Sequence, residues 1–305
     1  MSATTMGAER LFDPEAPLTA SGNLPRRMLV SRLFAAGSTL AALIAVAMLG
    51  IVLYSVASRG AAALSLNFVF QNASGLAGGG IANYLIGTLL VVAFGAVIAI
   101  PIGVLTGIYL TEFAGPRSRT GRILTLALDV MQGIPTIVAG LFVYGLIVAV
   151  QHRESGWAGS VALAIVMLPL IARASQEVLL LVPGSLREAA DALGVARWRT
   201  VLTVILPSAL GGIATGALLA TARAAGETAP MLVVNSIFDP NNTQLNIFGH
   251  GVPTIPMLIL NSSDLAVPDA FTRAWGAAFV LMILILFANF LARLLLARSR
   301  RKLGQ

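Results

Sequence analysis

Two arginine–glutamate pairs lie inside otherwise apolar stretches of this 305-residue chain: Arg173 with Glu177, and Arg223 with Glu227. Members of each pair are four residues apart, so on a continuous helix they share a face. Charge placed in a hydrocarbon environment costs a few kcal/mol or more, which makes such residues functional candidates. A guanidinium offers a planar fork of donors that fits the oxygens of a tetrahedral oxyanion. The pairs therefore predict an anion pathway in which each glutamate holds its arginine and keeps the anion from binding too tightly. The competing interpretation is a structural ion pair that locks two helices together. At a rise of about 1.5 Å per residue, Arg173 lies roughly 15 Å from Pro183 and Arg223 roughly 24 Å from Pro207, two stations at different depths. Asp129 and Gln132 fit better as interfacial or helix-bonding residues than as ligands.

Other chemistry is excluded by what the chain lacks. It has no cysteine, which removes disulfides, thiolate nucleophiles and cysteine-ligated metals. Its two histidines, His152 and His250, are far apart in predicted loops. Lys302 is its only lysine, and a phosphate-binding P-loop needs Gly-x-x-x-x-Gly-Lys before Ser or Thr. The chain itself is thus predicted to be no enzyme, to hold no metal, and to bind neither ATP nor another cofactor.

The elements that must position the charged pairs are membrane helices. Hydrophobic residues make up 57% of the chain and charged ones 11%, against about 25% charged in an average soluble domain. The mean hydropathy is +0.87. Apolar runs lie near 33–56, 82–111, 123–150, 158–182, 207–235 and 274–293. Each is close to the roughly twenty residues a span requires, and lipid forces each to be helical. The first run is too long for a signal-peptide core of about 7–15 apolar residues. An all-α integral membrane protein with six transmembrane helices is expected, its spanning domain covering 28–298. Residues 1–27 are predicted to be a disordered cytoplasmic tail and 299–305 a basic cytoplasmic end. Pro101, Pro135 and Pro169 should kink their helices, and Gly87, Gly95, Gly103, Gly107, Gly133 and Gly140 should permit close helix contact.

Basic residues fix the orientation. The tail, the 113–122 and 183–206 loops and the C-terminal end hold fifteen: Arg10, Arg26, Arg27, Arg32, Arg117, Arg119, Arg122, Arg187, Arg197, Arg199, Arg293, Arg298, Arg300, Arg301 and Lys302. The alternate loops hold three, Arg59, Arg153 and Arg273. The positive-inside rule then puts both termini in the cytoplasm. The net charge of +7 serves this asymmetry, since no basic patch with interleaved aromatics predicts a nucleic-acid partner; membrane lipid is the expected surroundings. The 236–272 segment is predicted to be an external loop without a folded domain, with a turn at Asp239-Pro240-Asn241-Asn242.

Between the fourth and fifth runs, residues 183–207 are too polar to span. Ser185 and Glu188 have capping-box spacing, which predicts a helix from Leu186. Leu186, Ala189, Ala190 and Leu193 recur at helical spacing as one apolar face, with Arg187 and Asp191 elsewhere. Gly194 is placed to end the helix in a left-handed conformation. Val195 to Leu206 predicts a second helix, and Pro207 opens the next span. A short exposed helix with a small apolar face suits insertion into a partner's groove, or a position on the membrane surface.

Glu188-Ala189-Ala190, Gly194 and Leu206-Pro207 resemble the EAA loop of binding-protein-dependent ABC importers, with Val204 where isoleucine is usual. That resemblance implies a MetI-like permease fold and a coupling helix, carried by Glu188, Ala189, Ala190, Gly194, Leu186 and Leu193, that docks on a separate ATPase. Arg223-Ala-Ala-Gly-Glu-Thr-Ala-Pro-Met-Leu232 and Gln132-Gly-Ile-Pro-Thr-Ile-Val-Ala-Gly140 resemble the signatures of phosphate permeases, PstA-type rather than PstC-type. What this resemblance implies is one permease subunit of an ATP-driven importer of inorganic phosphate in a prokaryotic plasma membrane. Its implied partners are a PstC-type permease, an ATPase dimer that binds ATP and Mg, and an external phosphate-binding protein. A permease for sulfate or molybdate is the nearest alternative.

Overall fold

The computed structural model describes residues 24–75, 78–115, 117–236, 243, 245–265 and 267–302, with backbone only at 295, 296 and 298–302. The tail predicted over 1–27 mostly lies outside the described residues, as do the turn at 239–242 and residues 303–305. The chain divides into two units, Met1–Ser55 and Val56–Gln305. The described part of the first is helical and belongs to α1 (Leu24–Ala61), which starts four residues before the predicted domain boundary.

The second unit continues through the short α2 (Leu66–Phe70) and a hairpin of β1 (Ala73–Ser74) and β2 (Gly78–Gly79), antiparallel with Ala73 opposite Gly79. Then come α3 (Ala82–Ile108), prolonged by a π-helical turn over Tyr109–Phe113, and α4 (Arg119–Gly133). Next are α5 (Thr136–Val143), a π turn over Tyr144–Val148, α6 (Ala149–Gln151) and α7 (Gly156–Leu180). Helix α8 (Gly184–Ala192) precedes α9 (Arg197–Thr200), a π turn over Val201–Ile205 and α10 (Leu206–Ala224). Finally α11 (Ala229–Val234), α12 (Ile255–Asp264) and α13 (Pro268–Lys302) complete the order.

Five helices are long and apolar enough to cross a membrane, and a bent pair makes six. That pair is the predicted third span, and it corrects the expectation of a single kinked helix: α4 and the helix from Thr136 to Gln151 meet at 104°. Pro135 explains the break, since it has no N–H to continue the ladder and disfavours helical backbone at the residue before it. Ile134 accordingly takes extended angles, φ −76° and ψ 132°. Pro101 and Pro169, by contrast, sit inside the continuous helices α3 and α7. Pro207 stands in the first turn of α10 as expected, although helical backbone already runs into it from Arg197 through the π turn.

The core forms where α3 packs along α7 and α10, around Val91, Ala99, Leu163, Met167, Ile171 and Ala217. Lipid tails are as apolar as these side chains, so helix association depends on close approach rather than on escape from water. Small residues supply it. A Cβ on Gly95, Gly103 or Gly107 would fall within 2.9 Å of atoms of α7. Gly133 is different, with nothing within 4 Å.

The described part of the 236–272 segment, read as a loop without a folded domain, contains α12 and packs into the core. Val252, Ile255, Met257 and Leu258 are buried. The buried Asn235 side chain accepts from Val252 N at 2.7 Å and donates to Val252 O at 2.8 Å, while Ile255 N donates to Thr88 Oγ1 at 2.8 Å. Folded back this way, the chain satisfies backbone groups that would otherwise be stranded in the core.

Candidate functional site

The two segments singled out in the sequence meet. Helix α5, which starts at the Pro135 break, packs on α11, which starts after a second break. That second break follows α10. The helix ends at Ala224, Gly226 and Glu227 bond back to the carbonyls of Arg223 and Ala224 at 3.1 Å, and Pro230 occupies the first turn of α11. Gly140 is the contact point: a Cβ there would lie 2.8 Å from Pro230 Cα. Only a residue without a side chain lets the two backbones approach so closely.

Across this contact Thr136 Oγ1 donates to Glu227 Oε2 at 3.3 Å. The expected Arg223–Glu227 pair is absent among the described residues, because Glu227 lies beyond the helix end and the four-residue spacing no longer places it on the arginine's face. Arg223 is exposed and makes no hydrogen bond or ion pair among the described residues. It lines a cavity of about 330 Å³ together with Gln132, Thr136, Phe142, Pro169 and Leu170. A guanidinium with its donors free, beside the Gln132 amide in a largely apolar hollow, can bind an anion by charge-assisted hydrogen bonds.

Arg173 is engaged differently from expectation. It pairs with Asp129 of α4 and donates to Gln176 Oε1 at 3.0 Å and Thr125 O at 3.5 Å. Glu177 is exposed and without a partner among the described residues. The arginine side chain is long enough to reach the neighbouring helix, so Asp129, read from sequence as an interfacial or helix-bonding residue, bonds between helices as its counter-ion. Arg173 thus ties α4 to α7, one helix away from Arg223.

The loop between the fourth and fifth runs folds into α8 as predicted, but the helix starts at Gly184 with Pro183 as its N-cap and no side-chain cap bond. Ser185 therefore falls inside the first turn, and the capping box does not form. The C-terminus does follow expectation. Gly194 has φ +69°, Val195 N donates to Ala190 O at 3.0 Å, and Gly194 N donates to Asp191 O at 3.0 Å. These bonds make a Schellman ending, which a left-handed glycine permits. Of the predicted face, Leu186, Ala189 and Leu193 are exposed and Ala190 is buried; Glu188 is exposed beside them.

Arg187 does not point idly elsewhere. Its Nη2 donates to Glu112 Oε1 at 2.7 Å and its Nε to both carboxylate oxygens at 3.2 Å, while Arg197 Nη2 donates to Oε2 at 3.3 Å. This bonding to Glu112 raises the Arg187 pKa above the ordinary arginine value. Sequence reasoning passed over Glu112. The available signal was a lone carboxylate closing an apolar run next to an arginine-rich loop.

Comparison with known proteins agrees with this architecture. The family model for the binding-protein-dependent transport system inner membrane component matches residues 99–301. The chain belongs to this family. Among its relatives, the phosphate transport system permease protein PstA 1 of Mycobacterium tuberculosis (strain ATCC 25618 / H37Rv) is 40% identical over 230 residues, covering 74% of this chain and 73% of the relative. The PstA protein of Yersinia pestis is 36% identical over 251 residues, covering 82% and 84%. Inward-facing structures of the MetNI methionine ABC transporter share the fold, with TM-scores of 0.55 and 0.56 at 21% and 20% identity, over 72% of this chain and 94% of theirs. The protein is a multi-pass membrane protein of the MetI-like fold, and a transport permease subunit.

Proposed function

We propose that this chain is the PstA-type permease of an ATP-driven importer of inorganic phosphate. It forms half of the translocation pathway beside a PstC-type permease. A separate ATPase dimer, which binds ATP and Mg, docks on Leu186, Glu188, Ala189, Ala190, Leu193 and Gly194, and an external phosphate-binding protein delivers the substrate. Both termini are cytoplasmic under this reading, in the plasma membrane of a prokaryote. The observation that carries it is Arg223, a cation with no internal partner among the described residues, lining a cavity beside Gln132 and Thr136. Glu227 is held by Thr136 rather than neutralising the arginine, so the guanidinium stays available to an anion. Arg173 and Glu177 contribute farther along the pathway, Arg173 as a station whose charge Asp129 tempers.

Uptake of labelled phosphate by the reconstituted importer tests this. Hydrogen bonds to a charged group contribute about 1.5–3 kcal/mol, so Arg223→Gln should lower uptake at least about tenfold. The complex should stay assembled. Arg223→Lys should recover only part of it, since a point charge lacks the bidentate fork. Unchanged uptake by an intact Arg223→Gln complex would sink the anion role. Transport of sulfate or molybdate in preference to phosphate would overturn the substrate assignment alone.

A further inference from the structure

The Glu112 carboxylate is fully hidden from solvent at the cytoplasmic end of the α3 span. Its bonds join pieces of chain that are remote in sequence. Arg187 reaches it from α8 and Arg197 from α9. The same Arg187 guanidinium donates to Val182 O at 2.7 Å and Leu179 O at 2.9 Å, so it also closes the end of α7. Arg197 Nη1 lies 3.7 Å from Asp191 Oδ2 of α8, which balances two cations against two carboxylates. One buried anion therefore holds together the ends of α3 and α7, the start of α9 and the α8 helix. Glu112 lies in the π turn Tyr109–Phe113, and α9 runs into another π turn, Val201–Ile205. Such turns break the regular ladder and often occur where a helix must move or bind.

We propose that Glu112 is a positioning residue that transmits displacement of α8 to the α3 span, coupling ATP hydrolysis to transport. This rests on α8 being the ATPase-docking helix. A helix joined to the spans only by the loops at its two ends could shift without moving α3, which is not its neighbour in sequence. The forked Glu112–Arg187 contact removes that slack, because a bidentate pair fixes orientation as well as distance. Removing the charge should leave α8 docked and the ATPase turning over, but its motion poorly conveyed.

The test is phosphate moved per ATP hydrolysed, in proteoliposomes holding the complete importer. With Glu112→Gln, ATP hydrolysis should persist while the transport-to-hydrolysis ratio falls about tenfold, a size typical of coupling between sites. Glu112→Asp should lie between. An unchanged ratio overturns the proposal, even if both rates fall together as a merely structural role would require. Should Glu112→Gln not assemble, the double variant Glu112→Gln with Arg187→Gln, which removes one charge of each sign, is measured in the same way. Failure of both to assemble makes Glu112 a folding residue only and also overturns it. Co-purification of the ATPase with a Leu193→Asp variant checks the docking reading separately: retained binding there refutes α8 as the dock, independently of the ratio.

Discussion

Gly133 and Gly140 stand seven residues apart in one motif, yet the structure predicts opposite results when each is changed to alanine. At Gly140 the new methyl would sit 2.8 Å from Pro230 Cα and 3.0 Å from Pro230 O, both backbone atoms that cannot swing aside. Carbon contacts prefer about 3.5–4.0 Å, so α5 and α11 must part by roughly 1 Å. Overpacking of this kind costs about 1–3 kcal/mol. Parting the helices also strains the 3.3 Å Thr136–Glu227 bond beside Arg223. At Gly133 a methyl meets nothing within 4 Å, and at this last residue of α4 alanine gains at most the roughly 0.5–1 kcal/mol by which it is favoured over glycine inside a helix. Thermal unfolding of the purified protein in detergent reads both, at about 2–4 °C per kcal/mol for chains near this size. Gly140→Ala should melt several degrees lower and lose uptake, whereas Gly133→Ala should match or exceed the parent. Equal behaviour of the two variants would refute the close α5–α11 contact and the site built on it.

Gly194→Val should destabilise the end of α8 by about 1–2 kcal/mol, because its φ of +69° suits no β-branched residue; weakened ATPase co-purification with the spans still folded is the expected result. In this cysteine-free chain, Gln151→Cys should react with an impermeant thiol reagent from outside the cell and Ala196→Cys should not, both positions being exposed; the reverse pattern would invert the topology. Burial raises the pKa of Glu154 above its ordinary 4.5, against the opposing pull of the Ser236 backbone hydrogen bond. The folded protein then keeps a proton that the unfolded chain has released, so stability falls as pH rises from 4.5 through the raised value and is level above it. Glu154→Gln should abolish that slope in melting temperature against pH.

Span number and the left-handed glycine were legible because each rests on local chemistry: run length, hydropathy, and the one residue type that tolerates positive φ. The charged pairs were misassigned for a definite reason. Four-residue spacing implies a shared face only while the helix is unbroken, and α10 stops at Ala224, between Arg223 and Glu227. Within α7 the helix does continue, yet Arg173 finds Asp129 across 44 positions rather than Glu177 next door. Glu112 meets Arg187 across 75. No periodicity records such pairs, since only tertiary packing decides which chain passes within reach. The buried α12 was missed because its ten residues fall short of a span and Pro256 suggests a turn, although proline also suits a helix's first turn.

The same breaks that obscured the pairing create the candidate site. Had the third span been one straight helix, Gln132 and Thr136 would simply share one face, four residues apart. The Pro135 break instead ends one helix and starts another at 104°, and the Ala225–Thr228 break does likewise where Arg223 stands. Irregular backbone at membrane depth is tolerated where it is buried in protein or lines a water-filled cavity. Two such breaks packed together at Gly140 and Pro230 are therefore expected to face a passage, and Arg223 lies at its wall. Lipid-facing charge would be expelled; a cation with free donors persists at this point only where water or an anion reaches it. Arg223 lines this cavity and Arg173 does not, its donors being held by Asp129 and Gln176 in the contact between α4 and α7; under the proposed function, therefore, Arg223 is the arginine that an oxyanion in this cavity meets.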